Sequence, residues 1–125
     1  MSFAHDFDTF KELILKGQSE EAIVKINKDI QKYPNDPTIK FIRGAIFDYF
    51  GKTKEAKEDF LFLSNKYPKN PILKNNLGVV SAKLGDYSNA RICFESALRL
   101  KPDYQEAKDN LIAIQRKYSI LLTSK

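Results

Sequence analysis

Cysteine, histidine and tryptophan are nearly missing from this chain of 125 residues, which has one Cys, one His and no Trp. A single thiol, Cys93, excludes an internal disulfide and a thiolate metal site, so packing alone must hold the fold. Cys93 sits between Ile92 and Phe94 with no histidine within helical reach, the setting of an inert thiol rather than a nucleophile. His5, near the amino terminus, reads as a solvated side chain rather than a general base. Phosphate-binding loops, dinucleotide fingerprints, zinc spacings and calcium loops are all absent. The expectation is a protein that is not an enzyme, with no catalytic, cofactor-binding or metal-binding residues.

Long hydrophobic runs are missing too. None approaches the roughly 20 residues that a bilayer crossing needs, and the opening MSFAHDFDTF has acids where a signal peptide needs a basic flank. A cytoplasmic protein is expected. Glycine and proline number only five each, against 42% hydrophobic and 30% charged residues, the balance of a helix-rich globular chain rather than a disordered one.

Those few glycines and prolines are regularly placed. Pro34, Pro68 and Pro102 are 34 residues apart, and the same step relates Gly17, Gly51 and Gly85 as well as Ala22, Ala56 and Ala90. Each proline follows an apolar helical stretch (IQKYP, LSNKYP, ALRLKP), where its missing N–H ends the helix. Each glycine lies midway between two such turns and can adopt the positive φ that commonly closes a helix before an antiparallel partner. The period therefore predicts one helical hairpin per 34 residues.

Helices are predicted near 3–16, 20–33, 37–50, 54–67, 71–84, 87–100 and 104–122. Ser19, Thr53 and Asp86 are candidate amino-terminal caps, Asp36-Pro37 and Asn70-Pro71 open the next repeats, and Asp103 with Glu106 suggests a capping box for the last helix. Gly44, Gly78, Ala22, Ala56 and Ala90 are small enough to let paired helices approach closely, with Ile26, Phe60 and Phe94 filling the space beside them.

The third hairpin, NPILKNNLGVVSAKLGDYSNARICFESALRLKP, resembles the tetratricopeptide repeat family. Leu77-Gly78, Gly85-Asp86-Tyr87, Ala90, Phe94, Ala97 and Pro102 fall where that family's pattern has them. The resemblance extends over 3–104 and implies an all-α fold, a right-handed α-solenoid of three hairpins (3–36, 37–70, 71–104). A capping helix, 104–122, completes a single domain spanning 3–122. It departs from the family where a large aromatic is usual near the start of each repeat, since Asp6, Lys40 and Lys74 stand there.

The resemblance also implies a non-enzymatic interaction module that holds a peptide or partner helix in a concave groove lined by the first helix of each hairpin. Carried over residue by residue, the groove candidates are Phe7 and Lys11 from the first such helix, Phe41, Ile42 and Tyr49 from the second, and Asn75, Asn76, Val79 and Lys83 from the third. Ala4, Asp8, Ile14, Thr38, Ala45 and Ile72 lie beside them. Such a surface suits apolar anchors, with the two asparagines bonding ligand backbone and the lysines its charges. Family members that grip the acidic tails of heat-shock chaperones use a two-carboxylate clamp of Lys, Asn, Asn, Lys and Arg. Here the corresponding places hold Phe7, Lys11, Ile42, Ile72 and Asn76, so the clamp is absent and that role is not expected.

Two other readings use the same chain differently. Phe3, Phe7, Phe10 and Ile14 form an aromatic stripe at helical spacing, and Ile112 and Ile120 lie off the apolar face of the last helix; either would suit self-association as a homodimer. The net charge of +5 and the cluster Lys52, Lys54 and Lys57 raise nucleic-acid binding, but Glu55, Glu58 and Asp59 interrupt that cluster. No membrane insertion and no cofactor are expected, and the partner is another protein or peptide.

Overall fold

The computed structural model describes residues 12–123, which contain no strand. After a helical stretch at 12–15 come α1 (Ser19–Lys32), α2 (Pro37–Tyr49), α3 (Thr53–Lys66), α4 (Pro71–Lys83), α5 (Tyr87–Leu100) and α6 (Gln105–Thr123). The chain packs as two compact units, one ending at Asp59 and the other beginning at Phe60, so α3 starts in the first and finishes in the second. The predicted helix expected near 3–16 lies mostly outside the described residues.

The glycine turns carry out what their spacing implied. Gly17, Gly51 and Gly85 have φ of 70°, 77° and 82°. At the second turn Gly51 N–H donates to Asp48 O at 3.1 Å and Lys52 N–H to Phe47 O at 2.7 Å. At the third, Gly85 N–H donates to Ala82 O at 2.9 Å and Asp86 N–H to Ser81 O at 2.9 Å. This paired arrangement satisfies carbonyls that a helix end would otherwise leave unbonded, and it reverses the chain within two residues.

Caps follow the same period, which corrects three expectations. The residue before each second helix is Gln18, Lys52 or Asp86, whose carbonyl accepts the first helical bond from Ala22, Ala56 or Ala90. Only Asp86 has a side chain suited to the post, and its Oδ1 accepts from Asn89 N–H at 3.3 Å. Ser19 and Thr53 are instead the first residues of their helices. Asp36 Oδ1 caps Thr38 N–H at 3.0 Å, and Asn70 Oδ1 accepts from Ile72 and Leu73 at 3.0 and 3.3 Å. The next place in that series is Tyr104, not Asp103: α6 starts at Gln105, and its first bond runs from Lys108 N–H to Tyr104 O at 3.1 Å.

In the first unit, α1 packs on α2 around Ala22, Ile26, Ile39, Ile42 and Ile46, with Leu13, Ile14, Ile23, Ile30, Tyr33 and Phe50 at the edge. A partly buried ion pair joins three helices of this unit. Arg43 of α2 donates from Nε to Asp59 Oδ2 at 2.8 Å and from Nη2 to Asp59 Oδ1 at 2.6 Å, while Nη1 donates to Asn27 Oδ1 on α1 at 3.1 Å. Asp59 is only 3% exposed. The bond to Asp59 raises the Arg43 pKa above its already high ordinary value, burial works against it, and the charges of Asp59 and Glu58 add to the rise. The guanidinium therefore stays charged throughout the range in which the protein is handled. One repeat on, Leu77 and Cys93 stand in the places of Arg43 and Asp59.

In the second unit, α4, α5 and α6 pack together around Ala90, Phe94 and Ile114, with Val79, Ala82, Tyr87 and Leu111 against them. The α4–α5 crossing is tight. A Cβ on Gly78 would lie 2.5 Å from Phe94 Cε1 and 2.8 Å from its Cδ1, closer than real carbon contacts come.

Gly78→Ala is expected to lower stability by about 1–3 kcal/mol through overpacking, and Phe94→Leu in the same chain should recover part of that loss in urea unfolding. Arg43→Leu alone should cost about 3–5 kcal/mol, because it leaves a buried carboxylate uncompensated. Adding Asp59→Cys, which installs the pair found in the next repeat, should restore most of it in reducing buffer.

Candidate partner-binding face

The first helix of a hairpin has one face on its neighbours and one face left over, and spacing of three and four residues assigns side chains to each. On α2 the leftover strip is Thr38, Phe41, Ala45 and Tyr49. Thr38 and Ala45 are exposed, Phe41 is half-buried, and Tyr49 is 63% exposed with its ring edge-on to Phe50 at 5.1 Å. On α4 the strip is Ile72, Asn76, Val79 and Lys83, with Ile72 49% exposed, Asn76 half-buried, Lys83 exposed, and Val79 half-buried because part of it packs on the core of Ala90, Phe94 and Ile114. Each strip belongs to one unit and sets apolar carbon beside one or two polar groups.

Two of the expected groove residues are placed elsewhere. Ile42 is 5% exposed and part of the first unit's core. Asn75 is fully buried, and its Oδ1 accepts from Asn110 Nδ2 of α6 at 3.0 Å. Neither side chain is open to a ligand in this structure. They stand one residue apart in the repeat register, since Asn75 corresponds to Phe41 and Asn76 to Ile42. The faces of the two helices are thus covered differently: α6 lies over the Asn75 side of α4, whereas α1 takes Ile42 into its core. Phe7 and Lys11 lie outside the described residues.

The Asn75 amide is incompletely satisfied, because its Nδ2 has no partner in hydrogen-bonding geometry. Nearby, burial raises the Tyr104 pKa, the Glu106 carboxylate raises it further, and the Asn75 amide draws it down only in third place. Tyr104 therefore stays a neutral phenol to higher pH than an ordinary tyrosine.

Cys93 is half-buried on α5, and among the described residues no cluster of three or more His, Cys, Asp or Glu is placed to hold a metal ion. No described helix is long and apolar enough to cross a membrane. Hydrogen bonding and apolar contact are what the strips offer.

Comparison with known proteins gives this geometry a class. Residues 71–104 match the family model described as tetratricopeptide repeat. The first tetratricopeptide repeat domain of human RPAP3 is similar at 19% identity with a TM-score of 0.81, over 94% of this chain and 93% of that one. The Sgt2 tetratricopeptide repeat domain from Aspergillus fumigatus is 19% identical with a TM-score of 0.79, over 90% and 76%. The first such domain of Spaghetti (RPAP3), bound to the HSP90 peptide SRMEEVD, is 20% identical with a TM-score of 0.79, over 90% and 89%. No curated sequence matches the chain. Residues 71–104 are similar to a tetratricopeptide repeat, and the fold of the chain is that of tetratricopeptide repeat domains, all-α and built of paired helices.

The two ends of the buried asparagine bond are expected to respond with opposite signs in thermal unfolding. Asn110→Ala should destabilise by about 1–3 kcal/mol, because it strands the Asn75 carbonyl, whereas Asn75→Leu removes an amide already short of a partner and should be neutral or stabilising.

Proposed function

We propose that this chain is a non-enzymatic protein-interaction module in which 3–122 act as one tetratricopeptide repeat domain, and that the strips on the first helices of its hairpins form the surface for a peptide or partner helix. One observation carries the reading: Tyr49 and Ile72, large apolar side chains on α2 and α4, remain 63% and 49% exposed on the helices that the family resemblance assigns to ligand. A peptide with apolar side chains at alternate or helical spacing would cover such a side chain on either strip, and on α4 Asn76 would bond its backbone and Lys83 meet its charge. The peptide SRMEEVD bound by Spaghetti (RPAP3) is the kind of ligand this fold accepts. An acidic chaperone tail is not the proposed ligand here, because Ile42 and Ile72 stand at clamp positions and have no charge to offer. The cytoplasm is the proposed compartment, in keeping with a chain that has one cysteine and so no second thiol for an internal disulfide.

A second reading, self-association through the last helix, is favoured by Ile112 and Ile120 of α6, which are 48% and 65% exposed. Sedimentation over a range of concentrations separates the two: a monomer leaves the strips as the working surface, and a dimer dissolved by Ile120→Glu favours the last helix.

The direct test selects peptides from a displayed random library on the wild-type protein and measures them by calorimetry against a Phe41→Glu, Asn76→Ala variant that keeps its helical circular dichroism. The reading expects affinity to fall by about tenfold or more, roughly 1.4 kcal/mol. Equal binding to both proteins would refute the strips as the contact. The labelled peptide SRMEEVD should bind neither protein appreciably.

A further inference from the structure

We propose that the cleft between α5 and α6 is a second docking site, for a peptide segment of another protein that presents an aromatic or branched aliphatic anchor beside an acidic residue. The cleft follows from unequal helix lengths. The link 101–104 turns α6 back along α5, but α6 has 19 residues and α5 has 14, so α6 is longer by about 7.5 Å at 1.5 Å per residue. Where α5 begins, the end of α6 loses its neighbour, and a cavity of about 200 Å³ opens there. Its floor is Ile114, almost fully buried, and its walls include Tyr87 and Tyr118, the latter 46% exposed.

Volume and charge together select the occupant. The space is below the roughly 300–1,000 Å³ of sites that enclose whole small-molecule ligands, and it suits one large apolar side chain of a longer segment. Arg91 lines the cleft, is exposed, and forms no ion pair among the described residues; Glu95, one turn further along α5, does not pair with it. On α6, Lys117 places its Nζ 5.3 Å from the centre of the Tyr87 ring. Ser88 and Gln115 add hydrogen-bonding groups to the lining. Residues 60–125 carry eleven Lys and Arg against five acids, while residues 1–59 carry ten against eleven, so the chain's excess positive charge belongs to the unit that contains this cleft. A slot of mixed lining, with Ile114 and two tyrosine rings on one hand and a guanidinium that forms no ion pair among the described residues on the other, in a basic unit, is complementary to an apolar anchor next to a carboxylate.

The test uses a displayed library of short random peptides, selected on the wild-type chain and then depleted on an Arg91→Glu, Tyr118→Ser variant. Both positions are exposed, and helical circular dichroism checks the variant; Arg91→Glu alone serves if the double change unfolds. Survivors are expected to pair Phe, Trp or Leu with Asp or Glu, to bind Arg91→Glu about tenfold or more weakly, and to bind Phe41→Glu as well as wild type. That last comparison separates this site from the strips on α2 and α4. The proposal is overturned if no peptide distinguishes the two proteins, if those that do lack the acidic and apolar pair, or if Phe41→Glu abolishes their binding. It is equally overturned if Arg91→Glu instead dissolves a dimer or removes binding of a single-stranded oligonucleotide.

Discussion

Gly78 stands so near Phe94 that even a methyl group in place of its α-hydrogen would collide with the ring, and this closeness is the condition on which the hairpin packing rests. Two helices that meet over a hydrogen atom bring their backbones near enough for one ring to fill the space between them, leaving few voids. Ala22, Ala56 and Ala90 keep the same allowance on the opposing helices, all fully buried. The positive-φ turns at Gly51 and Gly85 then set which faces meet, because they fix how far the chain runs on before it reverses. Small residues and turns recur together every 34 residues, so the partner of each helix is chosen by steric fit and chain geometry, with no disulfide to assist.

Within that frame the polar groups of the interior mark where the repeats differ from each other. The second repeat ties α1, α2 and α3 through Arg43, whereas the third has Leu77 and Cys93 at the same positions, which cannot form that ion pair. The bidentate geometry has a direction that an apolar contact lacks, so it discriminates against a helix shifted along its axis. The bond between Asn75 and Asn110 does comparable work between α4 and α6, and it explains why one of two neighbouring asparagines is withdrawn from the surface while Asn76 remains half-open.

Much of the helical pattern was legible in the sequence because it is written in backbone constraints. Proline without a donor, glycine with positive φ and an Asp or Asn before Pro act locally, and α1 to α6 begin and end within about two residues of where those signals put them. Caps were misread at Ser19, Thr53 and Asp103, where a suitable side chain stood one residue from the place that the period assigns to Gln18, Lys52 and Tyr104. Register outweighs the capping preference of the neighbouring side chain at all three places. The candidate face was less legible. One residue turns a helix by about 100°, and which of Asn75 and Asn76 is covered depends on α6, a helix outside the repeat. The cleft beside Tyr118 was illegible for a related reason, since it arises from the difference in length between two helices and from no residue pattern in either.

The role proposed for this chain is to present the first helices of its hairpins to a peptide. Amide chemical shifts of the isotope-labelled chain, followed while a peptide selected on the wild-type protein is titrated in, test that claim most directly. The account predicts that the largest changes gather on α2 around Phe41 and Tyr49 and on α4 around Asn76, Val79 and Lys83. Changes confined to α1 and α3, with those positions undisturbed, would contradict it.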